Sequence, residues 1–259
     1  MDKKKKQIKD LVREGYAKVA KDRTSCCSSG SCCGKASQAG DVSKAVGYSD
    51  DEMNAVPDGA NLGLGCGNPV AIAALKEGDI VLDLGSGAGF DAFLAARRVG
   101  KTGRVIGVDM TQEMLEMAMA NAKKGGYDNV EFRLGEIEKL PVEDNSIDAI
   151  ISNCAINLSP DKEMVFKEAF RALKPGGRLM VSDLVLTKDL SQAIKQSVEA
   201  YVGCLAGAIK KGDYLNIITM AGFQDVKVIS ESGYPVDAMF ENLEGAQDSV
   251  LSIKVSAVK

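Results

Sequence analysis

The chain has 259 residues, enough to bury a substantial core in one large domain or in one domain with appendages. Hydrophobic residues make up 45% and charged residues 26%, an ordinary globular balance, and 32 basic against 36 acidic side chains leave a net charge of -4, which gives nucleic acid nothing to grip. Histidine is absent, which removes Ser-His and Cys-His nucleophile pairs and most zinc hydrolase sites, while seven cysteines, in a reducing compartment, read as ligands or redox groups.

Lys3 to Lys6 form a basic run without an apolar stretch after it, so no signal peptide is expected. No apolar run approaches the ~18 residues of a membrane span, and a cytoplasmic location is expected. Ile8, Leu11, Val12, Tyr16 and Val19 recur at helical spacing and predict a helix from residue 3 to about 20, a lid or brace on the domain. Residues 24–34, with Cys26, Cys27, Cys32 and Cys33 among serines and glycines, carry too little apolar surface to hold themselves rigid and predict a mobile, thiol-rich loop. A short helix is expected over Asp50–Val56, closed by the turn Pro57-Asp58-Gly59. Cys66 follows inside a glycine-rich segment, and a helix over Pro69–Leu75 leads into the first strand.

Ile80-Val81-Leu82-Asp83-Leu84-Gly85-Ser86-Gly87-Ala88-Gly89 reads as a buried strand that stops at alternating glycines, and a helix follows from about Asp91 to Arg98. The turn is a candidate cofactor cradle. It departs from Gly-x-Gly-x-x-Gly, because Phe90 takes the third glycine position, and Asp83 would repel phosphates but suit an ammonium group. These residues favour a cationic, phosphate-free nucleotide. Gly103–Asp109 predicts strand two and Thr111 the cap of a helix to about Lys124. Asp109 ends that strand, where a carboxylate accepts from ribose hydroxyls in doubly wound sheets. Strands are further expected at Val130–Leu134, Ile147–Ser152, Arg178–Leu184, Val226–Ser230 and Val250–Ala257, with helices at Asp161–Leu173, Leu190–Ile209 and Asp213–Ala221. The alternation predicts an α/β fold: a doubly wound, mostly parallel sheet with right-handed crossovers, closed by an antiparallel edge pair.

Cys154 lies just past strand four, where open sheets bind ligands, beside Asn153. Cys66 and Cys204 could converge on the same crevice. Three thiolates without histidine favour a soft, thiophilic centre. Zinc is the rival, although the paired C-x₂₋₄-C knuckles are lacking. Each cysteine could equally be an ordinary buried side chain.

The strand-one signature resembles that of class I S-adenosylmethionine-dependent methyltransferases. Leu64-Gly65-Cys66-Gly67-Asn68-Pro69, Gly107-Val108-Asp109-Met110-Thr111, Ser152-Asn153-Cys154-Ala155-Ile156-Asn157-Leu158 and Gly203-Cys204-Leu205-Ala206-Gly207-Ala208 narrow the resemblance to arsenite methyltransferases. It implies a Rossmann-like core over 48–187, preceded by an N-terminal helix and cysteine-rich segment (1–47) and followed by a helical arsenic-site insertion and closing strands (188–259). It implies that Cys66, Cys154 and Cys204 hold trivalent arsenic, with one of Cys26, Cys27, Cys32 or Cys33 as a loosely matched fourth. It implies S-adenosylmethionine bound by Asp83, Gly85, Ser86, Gly87, Gly89, Asp109, Met110, Glu136, Ile137 and Asn153, with Glu136 and Ile137 near the adenine. The implied reductant is thioredoxin or glutathione. The extra C-terminal region of longer relatives is expected to be missing or reduced. Two other readings stand beside it: a methyltransferase of this fold acting on another small molecule, and a thiol-rich protein that sequesters metalloid. Oligomeric state is not legible.

Overall fold

The computed structural model describes residues 3–22, 38–234, 236 and 249–259, so Cys26, Cys27, Cys32 and Cys33 lie outside the described residues. Helices α1 (Lys3–Asp22), α2 (Gln38–Ala45), α3 (Asp50–Asn54) and α4 (Pro69–Ile72) precede the first strand. There follow β1 (Ile80–Leu84), α5 (Phe90–Val99), β2 (Arg104–Asp109), α6 (Gln112–Gly125), β3 (Val130–Leu134) and β4 (Ile147–Asn153). After a 3-10 turn at Ile156–Leu158 come α7 (Lys162–Ala172), β5 (Leu173–Leu186), α8 (Gln192–Gln196), α9 (Val198–Val202), α10 (Lys211–Met220), β6 (Gln224–Gly233) and β7 (Val250–Val258).

The seven strands form one sheet in the order β3-β2-β1-β4-β5-β7-β6. The first five run parallel, β7 is antiparallel to β5, and β6 is antiparallel to β7, which gives the predicted edge pair. The strand order reverses between β1 and β4, and such a switch point opens a crevice beyond the carboxyl ends of the strands. β1 alternates across the sheet. Leu82 and Leu84 pack with Val165, Phe166, Tyr214 and Ile218, whereas Val81 packs with Phe93, Leu94 and Val99 of α5. Burying Leu82 and Leu84 fully stabilises the fold by about 1.5–3 kcal/mol each. Both faces are therefore covered, and function is left to the carboxyl edge.

Two expectations shift in detail, and one helix is added. Leu190–Ile209 is not largely helical: α8 and α9 are one turn or so each, because Ser197 ends the first and caps the second, its hydroxyl accepting the Ala200 N–H at 3.1 Å. Beyond α9 the small residues to Ile209 run without a helix. β5 starts at Leu173 rather than Arg178, since Gly176 and Gly177 pair with Lys259 at the end of β7. Residues Gln38–Ala45, unassigned from sequence, form α2, a short helix of mostly small and polar residues. No helix among the described residues is long and apolar enough to cross a membrane.

Candidate active site

The glycine turn does what its composition suggests. Gly85 sits at φ +71° with its missing side chain against Ala155, where an added Cβ would come within 2.4 Å. Only glycine combines that left-handed backbone with that approach. The turn hands β1 to α5 through Gly89 and opens a cleft lined by Asp83, Gly85, Ser86, Gly87, Asp109, Met110, Ile137, Asn153 and Cys154. Lys9, Val12 and Tyr16 of α1 line the same cleft, so the N-terminal helix is its roof.

Two buried carboxylates, Asp83 and Asp109, face the cleft. Asp109 accepts the Gly87 N–H at 2.9 Å with one oxygen and the Thr111 N–H at 2.8 Å with the other, and the Thr111 hydroxyl and the Met110 N–H also face it. Asp83 is buried, and burial together with the charges of Asp91 and Asp109 pushes its carboxyl well up. Among the described residues its Oδ2 and the Ser86 hydroxyl are buried polar atoms without a hydrogen-bond partner. Orphaned acceptors of this kind cost free energy until a ligand pairs them. An ammonium group would pair Asp83 and relieve the repulsion, so the residues present fit S-adenosylmethionine.

A clamp ties this cleft to the cysteine loop. Asn153, at the tip of β4, holds its Nδ2 2.8 Å from the Gly67 carbonyl, 3.0 Å from the Asp91 carboxylate and 2.8 Å from the Tyr48 hydroxyl, three acceptors that share its two N–H groups. Its Oδ1 accepts the Cys66 N–H at 3.0 Å. Tyr48 in turn donates to Asp91 at 2.6 Å. Burial raises both Tyr48 and Asp91 above their usual pKa values. Gly67 lets the loop lie flat on β5, because an added Cβ would meet the Ser182 hydroxyl at 1.8 Å.

The three separated cysteines converge. Cys66 and Cys154 are joined by a disulfide with Cα atoms 5.8 Å apart, and Cys204 is a free, buried thiol whose S–H donates to the Cys154 carbonyl at 2.8 Å. Cys154 and Cys204 both hold left-handed backbone, at φ 57° and 66°. Non-glycine residues adopt it at a cost, and such strain collects at functional sites. All three belong to one buried apolar cluster with Leu184, Leu186, Leu190 and Leu205. Only Cys154 lines the cleft itself, so the cysteine cluster forms its inner wall. Burial pushes the Cys204 thiol up, and the nearby Asp183 charge adds to that.

Of the residues singled out from sequence, Asp83, Gly85, Ser86, Gly87, Asp109, Met110, Ile137 and Asn153 line the cleft. Gly89 caps α5 without lining it, and Glu136 turns outward to Lys9 at 2.8 Å and Arg13 at 3.7 Å of α1. Sequence reasoning passed over Tyr48, Asp91 and Asp183. Asp91, directly after the glycine turn, was visible as a second carboxylate. Asp183 is 1% exposed, accepts from Tyr214 at 3.0 Å, and is held up to about 7 by burial against the pull of Lys162. One of its oxygens and the sulfurs of Cys66 and Cys154 all lie within 4.8 Å of one another.

The profile of the methyltransferase-domain family matches residues 75–222. The chain is 46% identical over 234 residues to an arsenite methyltransferase of Halobacterium salinarum, covering 88% of this chain and 60% of that protein. It is 37% identical over 175 residues to an arsenite methyltransferase of Mus musculus, covering 64% and 46%. Its fold superposes with a TM-score of 0.65 and 34% identity on the crystal structure of an arsenic (III) S-adenosylmethionine methyltransferase from Chlamydomonas reinhardtii, covering 84% of this chain and 73% of that one. The chain thus spans about three fifths or less of the length of these curated relatives. The glycine turn, the carboxylates around it and these likenesses agree: the chain belongs to the class I S-adenosylmethionine-dependent methyltransferases, in the family of the arsenite methyltransferases.

Proposed function

We propose that this chain transfers methyl from S-adenosylmethionine to trivalent arsenic held by the thiolates of Cys66, Cys154 and Cys204. The observation that supports it most is the convergence of three cysteines, 88 and 50 residues apart in sequence, in one buried cluster at the inner wall of a cleft suited to a cationic nucleotide. Asp83 and Ser86 would take the amino-acid end of the cofactor, Asp109 the ribose hydroxyls, and Met110 and Ile137 the base. Bound there, the cofactor supplies an electrophilic methyl group on a sulfonium.

The remaining work is positioning by the chain's own residues. Reduced cysteines exchange with the hydroxyls of arsenite, each As–S bond forming as one water leaves, and sulfur is the ligand type a soft centre prefers. Arsenic on thiolates keeps a lone pair and has no proton to lose, so methyl capture needs no general base and a chain without histidine is sufficient. Leu184, Leu186 and Leu205 keep water from the cluster. Methyl capture formally oxidises arsenic by two electrons, the number that Cys66 and Cys154 release when they join. A thiol reductant, thioredoxin or glutathione, then reopens the disulfide by exchange. The cysteines at 26, 27, 32 and 33 would serve initial capture.

The test is incubation of the full chain with arsenite, methyl-labelled S-adenosylmethionine and a thiol reductant. Label on arsenic is expected. Cofactor binding without labelled arsenic refutes the reading: retained, unmethylated arsenite would point to sequestration, and no retained arsenite to another small acceptor.

A further inference from the structure

Helix α1 touches both halves of the site. On the cofactor side, Arg13 Nε donates to the Met110 carbonyl at 3.3 Å, and Lys9, its side chain 9% exposed, pairs with Glu136 at 2.8 Å and Glu138 at 3.1 Å. Lys5 pairs with Asp161 at 2.7 Å and Lys21 with Glu113 at 2.9 Å, so the helix is tied at both ends and at its middle to separate segments around the cleft. On the acceptor side, the Tyr16 hydroxyl donates to the Val202 carbonyl at 3.4 Å and lies 3.9 Å from the Cys204 sulfur. Contact with α9 is close by construction. Gly15 stands mid-helix, where glycine costs stability, and an added Cβ there would press on both Val202 methyls at 3.0 Å.

We propose that α1 couples the two half-sites: it closes over the cofactor cleft and, through the Tyr16 hydroxyl, positions Cys204 for the acceptor. The inference rests on the three cysteines being the arsenic site. In the free thiol, the Cys204 S–H is spent on the Cys154 carbonyl. When arsenic takes that sulfur, the thiol proton leaves with the arsenite hydroxyl as water and the donor is gone. Tyr16 then turns its one O–H from the Val202 carbonyl, a long bond at 3.4 Å, to the arsenic-bound sulfur. The arsenic-bound sulfur has lone pairs and no proton, so it can only accept, and the Tyr16 hydroxyl stands beside it; Tyr16 therefore acts mainly in the loaded state. Latching of α1 by a bound cofactor, through the Met110 and Glu136 segments, then favours arsenic capture, and by linkage the reverse holds equally.

The experiment uses the reduced full chain, unaltered and as Tyr16→Phe and Arg13→Gln, with arsenite affinity measured by equilibrium dialysis, with and without S-adenosylhomocysteine, which has no methyl to give. In the unaltered chain the nucleoside is expected to tighten arsenite several-fold. Tyr16→Phe is expected to bind arsenite about ten-fold more weakly and to lose that gain; its thermal midpoint falls by no more than the ~2–4 °C of the lost Val202 bond, and because the ring that lines the cleft is kept, its affinity for the nucleoside alone falls by less than its affinity for arsenite. Arg13→Gln, cut on the cofactor side, is expected to keep arsenite affinity without nucleoside and lose the gain. Equal arsenite affinity and equal gain in Tyr16→Phe and the unaltered chain overturn the inference alone. No arsenite bound by the unaltered reduced chain overturns the arsenic reading itself and the inference with it.

Discussion

Replacing Asn153 with alanine tests whether one side chain holds the two half-sites together. The substitution removes the bonds to Gly67 O, Cys66 N and Tyr48 OH and the one to the Asp91 carboxylate. Its two N–H groups and Oδ1 make at most three of these bonds at once; at ~1 kcal/mol for each neutral bond and ~2 kcal/mol for the charged one, the loss sums to about 4 kcal/mol. Asn153 is half-buried at the cleft, so water can reach the freed groups and offset about half, leaving ~2 kcal/mol. At ~2–4 °C per kcal/mol for a domain of this size, the thermal midpoint of the reduced chain should fall by about 4–8 °C. Arsenite affinity should fall with it, since the Cys66 loop loses its anchor on β4. Asn153→Asp keeps the shape but sets a second carboxylate beside Asp91, and should be worse than alanine at neutral pH and recover in mild acid. Calorimetry of the three reduced chains, with dialysis for arsenite, makes the measurement. A midpoint for Asn153→Ala within ~2 °C of the unaltered chain would refute the clamp.

Asp83→Asn should weaken S-adenosylmethionine binding by about 10–100-fold, the loss of a buried charged hydrogen bond, while apo stability holds or rises because repulsion with Asp91 and Asp109 is relieved. Titration calorimetry that finds unchanged affinity would remove Asp83 from the ammonium site. The disulfide spans 88 residues, so its reduction should cost about 4–5 kcal/mol of chain-entropy stabilisation. Arsenite should restore much of the lost midpoint in the reduced chain and none in the oxidised chain; equal response in both would mean that these sulfurs are not its ligands. Asp183 has a folded pKa raised to about 7 from 3.8. The folded state therefore binds the extra proton, its contribution is complete below about pH 4 and is lost as pH rises through about 7. Asp183→Asn, which stays neutral, should gain on the unaltered chain by up to about 4 kcal/mol between pH 4 and 7.5. Urea midpoints for the two chains that run parallel across that range would contradict a buried, protonated Asp183.

Much of the fold was legible because its signals are local. The apolar run at Ile80–Leu84 with alternating glycines, the Asp161 side chain that caps α7, and Gly100 and Gly126 at the ends of α5 and α6 all act within a few residues; Thr111 starts α6 without a side-chain capping bond. The break at Ser197 was not, because a serine cap in a largely apolar and small-residue run competes with helix continuation, and packing of the following small residues settles it. The lining of the candidate cofactor cleft was legible for the same reason as the strand: Asp83, Gly85, Ser86, Gly87 and Asp109 sit at the ends of β1 and β2, and sheet register places strand ends together.

The acceptor half divides differently. Which residues can bind a soft atom is a matter of side-chain chemistry, and the sequence by itself determined that: seven cysteines, no histidine, and three of the cysteines apart from the tail. That Cys66, Cys154 and Cys204 meet was decided by tertiary structure, through Asn153 anchoring one loop, Gly67 letting it reach β5, and left-handed backbone at the other two. Asp183 at those sulfurs and Tyr16 at Cys204 belong to the same category. Contacts between residues as far apart in the chain as these leave no periodicity to read; they follow from how the elements pack, and only the folded chain sets them.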